Sequence, residues 1–423
     1  MKKILFLFLP VFLFSQSFLI SNIPLPKTYI LDLDPYECST ECLQEYLDND
    51  MIFSFMAHAS QKLDDPIQDE MRIINISLLN LGTNIPSGDL RIALLLPYKK
   101  IGKYASSTTN ASFAYLMTKG HPFELKSYKV ETETIDDLKL ALAKIKNDGF
   151  HHIIAPLTQT GADNIALINQ DLNIYFPTIN KKDTNTTSPL LSYGGIDYRA
   201  QSDLLLNEAV SPLVIFSDKS SLGQKLSLYE EENFKIQEPS YNEFSAYMFE
   251  TEQPETNTRE VIKYSIARKT TNLERYLKEN EDIVDGSFFL NTPIVKSGMI
   301  MSQLTLYESN ATNILSTQIN YDPLIISMTQ YGDRKDMLIA NSIVENNNVL
   351  IETNSLLGND IVYDWINYTT TVGIDYFFSL ITSQSREYKM PIDNNQVIYP
   401  IELVRPSFSR FVKYKSSVEE TIY

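Results

Sequence analysis

From Arg91 onward, short apolar runs alternate with segments whose apolar residues recur every three or four positions, and this alternation constrains the fold of the 423-residue chain more than any other feature. Ile92 to Leu96 reads as a strand ended by Pro97, Ala105 to Lys119 as a helix, and Phe123 to Val130 as an alternating strand. Ile135 to Asn147 carries Leu138, Leu140, Ala141, Leu142 and Ile145 at helical spacing and closes at Gly149. His151 to Ala155, Gly161 to Gln170 and Ile174 to Ile179 continue as strand, helix and strand. Strands separated by helices of this length predict a mostly parallel sheet with helices on both faces, a doubly wound α/β lobe.

A second series repeats the rhythm. Leu213 to Phe216 reads as a strand, Ser221 to Glu232 as a helix and Phe234 to Ile236 as a returning strand. Residues 230–260 then hold nine acids and two bases together with Pro239 and Pro254, the composition of a solvated loop. Ser287 to Leu290, Val295 to Tyr307 and Ile314 to Ile319 resume as strand, helix and strand. The expected organisation is a first lobe over 89–208, a second over 209–345 and a return segment over 346–423, with a cleft between the lobes. Ahead of them, residues 18–88 read as a small helical region. One helix is expected across Cys42 to Ala59, another over 67–81, with turn formers from Gly82 to Gly88 as the boundary.

Residues 1–17 place Lys2 and Lys3 before an apolar run from Ile4 to Phe14, followed by the small residues Ser15 and Ser17. That is the layout of a cleaved secretory signal, and the run is shorter than the roughly 20 residues of a spanning helix. No Cys follows it directly, which argues against a lipid anchor. The chain is therefore expected in the periplasm, without a membrane span once processed. In that oxidising compartment Cys38 and Cys42, four residues apart, are expected to form a local disulfide. The net charge of -17 excludes a role on bare nucleic acid, because phosphate contacts need clustered Lys and Arg.

Five stretches carry a resemblance. Arg91-Ile-Ala-Leu-Leu-Leu-Pro97 resembles the opening strand and turn of type I periplasmic-binding folds, most like their penicillin-binding protein activator branch. His151-His-Ile-Ile-Ala-Pro-Leu-Thr158, Asn173-Ile-Tyr-Phe-Pro-Thr-Ile-Asn180 and Asp285-Gly-Ser-Phe-Phe-Leu-Asn-Thr-Pro293 are similar to later strands, and Tyr363-Asp-Trp-Ile-Asn-Tyr368 to the helix that returns to the first lobe. The likeness covers roughly residues 90–423. It implies two lobes closing on a ligand, or presenting themselves to an envelope partner. Members of that branch are often lipoproteins with a helical repeat domain in front, and this chain departs from them in having no lipidation Cys and only a short preface.

No Gly-x-Ser-x-Gly, Gly-x-x-x-x-Gly-Lys-[Ser/Thr], Gly-x-Gly-x-x-Gly or His-Glu-x-x-His pattern occurs, so no nucleophile, cofactor or metal is nominated and a non-enzymatic role is expected. His151 and His152 are neighbours on a strand and point to opposite faces. Asp64 with Asp65, and Asp136 with Asp137, could be read as acid/base pairs, but neighbours on a helix do not face each other, and Asp136 and Asp137 fit better as acids of a first helical turn. Tyr363, Trp365, Tyr368, Tyr376, Phe377 and Phe378 read as core.

In open α/β sheets ligands sit beyond the carboxyl ends of the strands, near helix N-termini. That places Tyr98, Lys99, Lys100, Thr158, Gln159, Thr160 and Asn180 of the first lobe, and Asp218 and Ser220 of the second, at a prospective cleft ligand, Lys99 and Lys100 suiting an anion. The competing reading is that Thr158 and Ser220 cap helices. Of five Asn-x-[Ser/Thr] triplets, at Asn75, Asn110, Asn185, Asn310 and Asn367, those at Asn185 and Asn310 also carry the acid two residues upstream that bacterial oligosaccharyltransferases prefer. The function expected is an exported binding or regulatory protein that engages a small ligand or an envelope protein through its cleft. The alternatives are a scaffold of an envelope assembly and an unrecognised hydrolase.

Overall fold

The computed structural model describes residues 30, 32–34, 36–79, 81, 90–169, 171–186, 188–236, 259–344 and 346–415. The leader read at 1–17, the turn at Gly82 to Gly88 and most of the acidic stretch within 230–260 lie outside these residues. The chain forms two compact units, Met1–Pro86 and Ser87–Tyr423.

In the first unit three helices, Thr40–Asp48, Ile52–His58 and Pro66–Leu78, enclose Leu43, Phe55, Met56 and Ala59. The single helix expected across Cys42 to Ala59 is broken at Asp50. Its φ of 56° is left-handed, and the Met51 N–H turns back to the Tyr46 carbonyl at 2.8 Å. A short polar side chain tolerates that conformation, and apolar spacing does not reveal it. Asp65 caps the third helix, accepting from the Ile67 and Gln68 N–H groups at 2.9 and 3.0 Å, with Pro66 in the first turn. Cys38 and Cys42 are joined by a disulfide, their Cα atoms 5.4 Å apart, and Ser39 between them caps the first helix.

The second unit holds two seven-stranded sheets. In the first lobe β1 (Leu90–Leu96), β2 (Phe123–Lys129), β3 (His152–Ile154), β4 (Asn173–Phe176) and β5 (Leu191–Tyr193) lie parallel in the order β2-β1-β3-β4-β5. In the second, β6 (Leu213–Ser217), β7 (Val261–Ser265), β8 (Ser287–Asn291), β9 (Asn313–Ser316) and β10 (Met337–Asn341) repeat that order as β7-β6-β8-β9-β10. The last stretch of chain serves both. β11 (Ile392–Asp393) and β12 (Gln396–Val397) extend the first sheet past β5, and the antiparallel β13 (Glu402–Pro406) and β14 (Phe411–Lys413) extend the second past β10. Central strands such as β6 and β8 are buried at every residue, because helices cover both faces.

One expected element changes identity. Phe234 to Ile236 is the last turn of the helix Ser221–Ile236, and the edge strand is β7 instead. Phe234 is fully buried among Leu205, Leu213 and Phe289, so its apolar character serves helix packing. Period cannot separate three apolar-rich residues of a helix end from a short strand. The aromatic run near the carboxyl end does form a core helix, Trp365–Thr382, with Tyr368, Phe377 and Phe378 buried. It packs on the helix Tyr104–Thr118, and the Tyr115 hydroxyl donates to Asp375 at 2.5 Å.

The chain crosses between lobes three times: after β5, after β10 and between β12 and β13. Buried polar side chains tie these crossings. The Gly195 carbonyl accepts from Asn180 at 3.0 Å and from Gln396 at 3.2 Å, and the Gly194 carbonyl accepts from the Tyr399 hydroxyl at 2.8 Å. Gln201, fully buried, donates to Ser342 at 2.7 Å and accepts from the Gln318 N–H at 2.9 Å.

Candidate functional site

A strand order of 2-1-3-4-5 creates a topological switch point beside the first strand, where loops diverge and a crevice opens at the carboxyl ends. Here those points lie between β1 and β3 and between β6 and β8. Each faces the start of a helix, and at each the residue just ahead of the helix is held by a carboxylate of the chain itself.

In the first lobe that carboxylate is Glu133, from the loop after β2 and 6% exposed. It accepts from the Thr158 N–H at 2.8 Å and from the Thr158 hydroxyl, at the start of the helix Gln159–Ile168. The Asn164 amide donates to the Glu133 backbone carbonyl at 2.7 Å. Gly161 makes the approach possible, since a Cβ there would lie 2.8 Å from the Glu133 Cδ. In the second lobe Asp218 accepts from the Ser220 N–H at 3.0 Å and from its hydroxyl at 2.5 Å, while the Gly223 N–H donates to the Ser220 hydroxyl at 3.0 Å. A Cβ on Gly223 would lie 2.4 Å from Asp218 Oδ1. In both lobes a carboxylate of the chain thus fixes the N–H and hydroxyl of the residue that leads into the helix.

Two cavities lie nearby. The first, about 660 Å³, opens between the lobes and is bounded by Gln159, Asn180, Lys182 and Asp183 of the first lobe and by Arg199, Lys225, Tyr229 and Glu232 of the second, with Asp197 at the crossing. Three cations there face three anions. Lys182 pairs with Asp197 at 2.5 Å and Arg199 with Asp183 at 3.3 Å, and Lys225 reaches across the lobes to Gln159 at 3.0 Å. The Tyr229 hydroxyl donates to Asp203 at 2.7 Å, and burial followed by that carboxylate pushes its pKa up to about 12.

The second cavity, also about 660 Å³, belongs to the second lobe alone, at the ends of β6, β7 and β8. Its charged lining is Lys219, Arg268 and Lys296 against the single acid Asp218, with Ile266, Pro293 and Val295 as apolar floor. Lys296 donates to the Arg268 carbonyl at 3.2 Å and to the Thr270 carbonyl, whereas Lys219 and Arg268 form no ion pair among the described residues. In a chain of charge -17 this is a local basic basin.

The nine residues singled out from sequence divide accordingly. Gln159 and Asn180 line the inter-lobe cavity, and Asp218 and Ser220 line the basic one. Tyr98, Lys99, Lys100, Thr158 and Thr160 line neither. Lys99, exposed, is paired with Glu131 at 2.6 Å, and Thr158 is held by Glu133. Asn180 spends both ends of its amide on the backbone, at Gly195 and at the Lys182 N–H. The strand-end rule passed over Arg268 because β7 was not recognised. It also passed over Glu133, which acts at a helix other than the one it precedes.

Elsewhere in the second lobe Glu230 is fully buried without a cation among the described residues, accepting from Asn291 at 2.5 Å and from Ser202 at 3.1 Å. Burial pushes its carboxyl well above the usual range. His152 packs on Phe377 at 5.1 Å between ring centres, and burial, then the neighbouring His151, hold it down at about 4. Among the described residues no cluster of three or more His, Cys, Asp or Glu could hold a metal ion, and no helix is long and apolar enough to cross a membrane.

Twin doubly wound lobes joined by three crossings define the chain as a type I periplasmic-binding fold. Among solved structures it is similar to a Rhodospirillum rubrum protein assigned to branched-chain amino acid ABC transport, at 9% identity and TM-score 0.56 over 77% of this chain and 99% of that one. It is similar to the leucine binding protein LivK of Thermotoga maritima, at 13% identity and TM-score 0.51 over 77% and 98%. LpoA of Haemophilus influenzae aligns with more of the chain, 89% against 72% of its own, at 11% identity and TM-score 0.50. No protein-family model matches the sequence, and no curated protein does.

Proposed function

We propose that the chain is an exported regulatory protein of the cell envelope that engages a protein partner through its lobes. The observation that carries this reading is that Glu133 and Asp218 already hold Thr158 and Ser220, the residues just ahead of the helices at both switch points, so that these polar groups are engaged within the chain. The carboxylate of a free amino acid would have to displace one of them from its own hydrogen bonds. The tied crossings and the Lys225 to Gln159 bridge favour a platform of fixed shape over a closing trap. The basic basin of the second lobe supplies the attractive surface, suited to acidic side chains of a partner. The similarity to LpoA, and the resemblance to the activator branch, agree with a regulator.

A second reading, a small-molecule receptor, is favoured by the inter-lobe cavity, whose volume falls in the range of ordinary ligand pockets. Thermal melts against the standard amino acids, small anions and muropeptides separate the two. A platform shows no saturable rise in Tm, whereas a receptor at 100 times Kd gains about 2.7 kcal/mol and melts several degrees higher. In parallel, a photo-cross-linker replacing Lys219 should capture an envelope protein in cells. Saturable stabilisation by a free amino acid together with no cross-linked product would overturn the proposal.

A further inference from the structure

We propose that Asn310 is an acceptor for N-linked glycosylation, with an oligosaccharide as the group it takes. The five Asn-x-[Ser/Thr] triplets are equal as sequence patterns and unequal as chemistry, because transfer requires an exposed carboxamide whose nitrogen is not committed elsewhere. Asn75 is buried in the helix Pro66–Leu78 and donates to the Met71 carbonyl at 2.8 Å. Asn110 lies in the helix Tyr104–Thr118 and donates to the Leu357 carbonyl at 3.2 Å. Asn367 is buried in the helix Trp365–Thr382 and donates to the Asp360 carbonyl at 2.9 Å. Each of these three nitrogens is locked into a helix or into the interior.

Asn310 differs at every point. It lies in the connection between the helix Ile294–Leu306 and β9, its side chain is exposed, and the side-chain amide has no hydrogen-bond partner among the described residues. Glu308, two residues upstream, is exposed and forms no ion pair among the described residues, so its carboxylate is open to a cation of the transferase. Thr312 is exposed too, its hydroxyl resting on the Asp285 carbonyl at 2.5 Å, a surface bond that water or an enzyme can replace. Asn185 shares the upstream acid and the exposure, but its Thr187 lies outside the described residues, and the proposal is confined to Asn310. The acid at the second upstream position is thus found at exposed triplets and missing from the three locked ones.

The reaction needs a polyprenyl-diphosphate-linked oligosaccharide. The Asn310 Nδ2 forms a bond to the sugar C1, the C1–O bond to phosphate breaks, polyprenyl diphosphate leaves, and the amide nitrogen loses one proton. The modification depends on export, not on what the lobes bind. The full chain is therefore produced in bacteria that carry an N-oligosaccharyltransferase, a lipid-linked glycan and a proven acceptor protein as control. It carries either its own leader or a Sec leader in its place, and glycopeptides are read by mass spectrometry. The expected result is one oligosaccharide mass on the Asn310 peptide, lost in Asn310→Gln and with a dead transferase, and reduced in Glu308→Gln. Modification seen only with the substituted leader supports the site while counting against the native leader. An unmodified Asn310 peptide with both leaders, beside a glycosylated control, overturns the proposal.

Discussion

The two lobes share a strand order and a device, yet the device is built differently in each. In the second lobe the anion at the helix start, Asp218, is local to its own turn, two residues before the Ser220 that it holds. In the first it is Glu133, arriving from another loop 25 residues away and buried to 6% exposure. A long-range, buried carboxylate fixes two loops together, whereas a local one fixes only its turn. The same contrast governs the cations. Lys99, past the end of β1, shares Glu131 with Lys129, while Lys219 and Arg268, past the ends of β6 and β7, are left to face a cavity. Repeated topology supplies two strand ends of the same kind, and the cations past them line a cavity beside β6 and not beside β1.

The sharpest test of this contrast is steric. Gly161→Leu should destabilise the fold by about 3 kcal/mol or more, because Glu133 cannot retreat without leaving Thr158 unpaired. Glu133→Ala should likewise cost clearly more than Asp218→Ala, because the Asp218 side chain holds only Ser220 two residues on. Equal losses in urea melts would mean that the two devices are not different in kind.

Acidification tests the first lobe next. His152 has a folded pKa held below its ordinary 6.5, at about 4, so the unfolded chain binds its proton first as pH falls. Its share of stability is complete above 6.5 and is lost on going down toward 4, on the order of 2 kcal/mol after allowance for its partial exposure. His152→Leu should flatten that part of the stability profile, and an unchanged slope would remove His152 from the explanation.

Glu230 gives the second lobe the opposite dependence. Its folded pKa is raised by burial, so stability is present below the ordinary glutamate range and is lost as pH rises toward the folded value. Glu230→Gln should stabilise the protein at pH 8 by at least about 1 kcal/mol and leave it unchanged at low pH. Asn291 Oδ1, buried and without a partner, offers an acceptor to the new amide if the Asn291 side chain turns over. A destabilised variant at pH 8 would show that the carboxylate is ionised in the fold.

The smallest effect belongs to the bond across the lobes. Lys225→Ala removes its contact with Gln159 and should cost only about 0.5 kcal/mol, because both groups are exposed. Small-angle scattering should show the lobe separation unchanged. A widened molecule would mean that this bridge, and not the buried crossings, holds the lobes.

The sequence by itself determined the architecture. Runs such as Arg91 to Pro97 and Leu213 to Phe216 announce strands buried on both faces, and their alternation with helices leaves few alternatives to paired doubly wound lobes. Of the nine residues it put at a cleft between the lobes, Gln159 and Asn180 line the inter-lobe cavity, Asp218 and Ser220 line a cavity of the second lobe alone, and five line neither. It failed where period carries no information: Asp50 breaking a helix, Phe234 to Ile236 ending one, and the half-exposed β7. Tertiary structure alone decided that Glu133 belongs to Thr158, that Lys99 and Lys129 share Glu131 and that Arg268 and Lys296 meet at one basin. Backbone periodicity is a local property repeated along the chain, whereas the partner of a charge is whichever group the fold brings within about 3 Å, and no spacing rule encodes that distance.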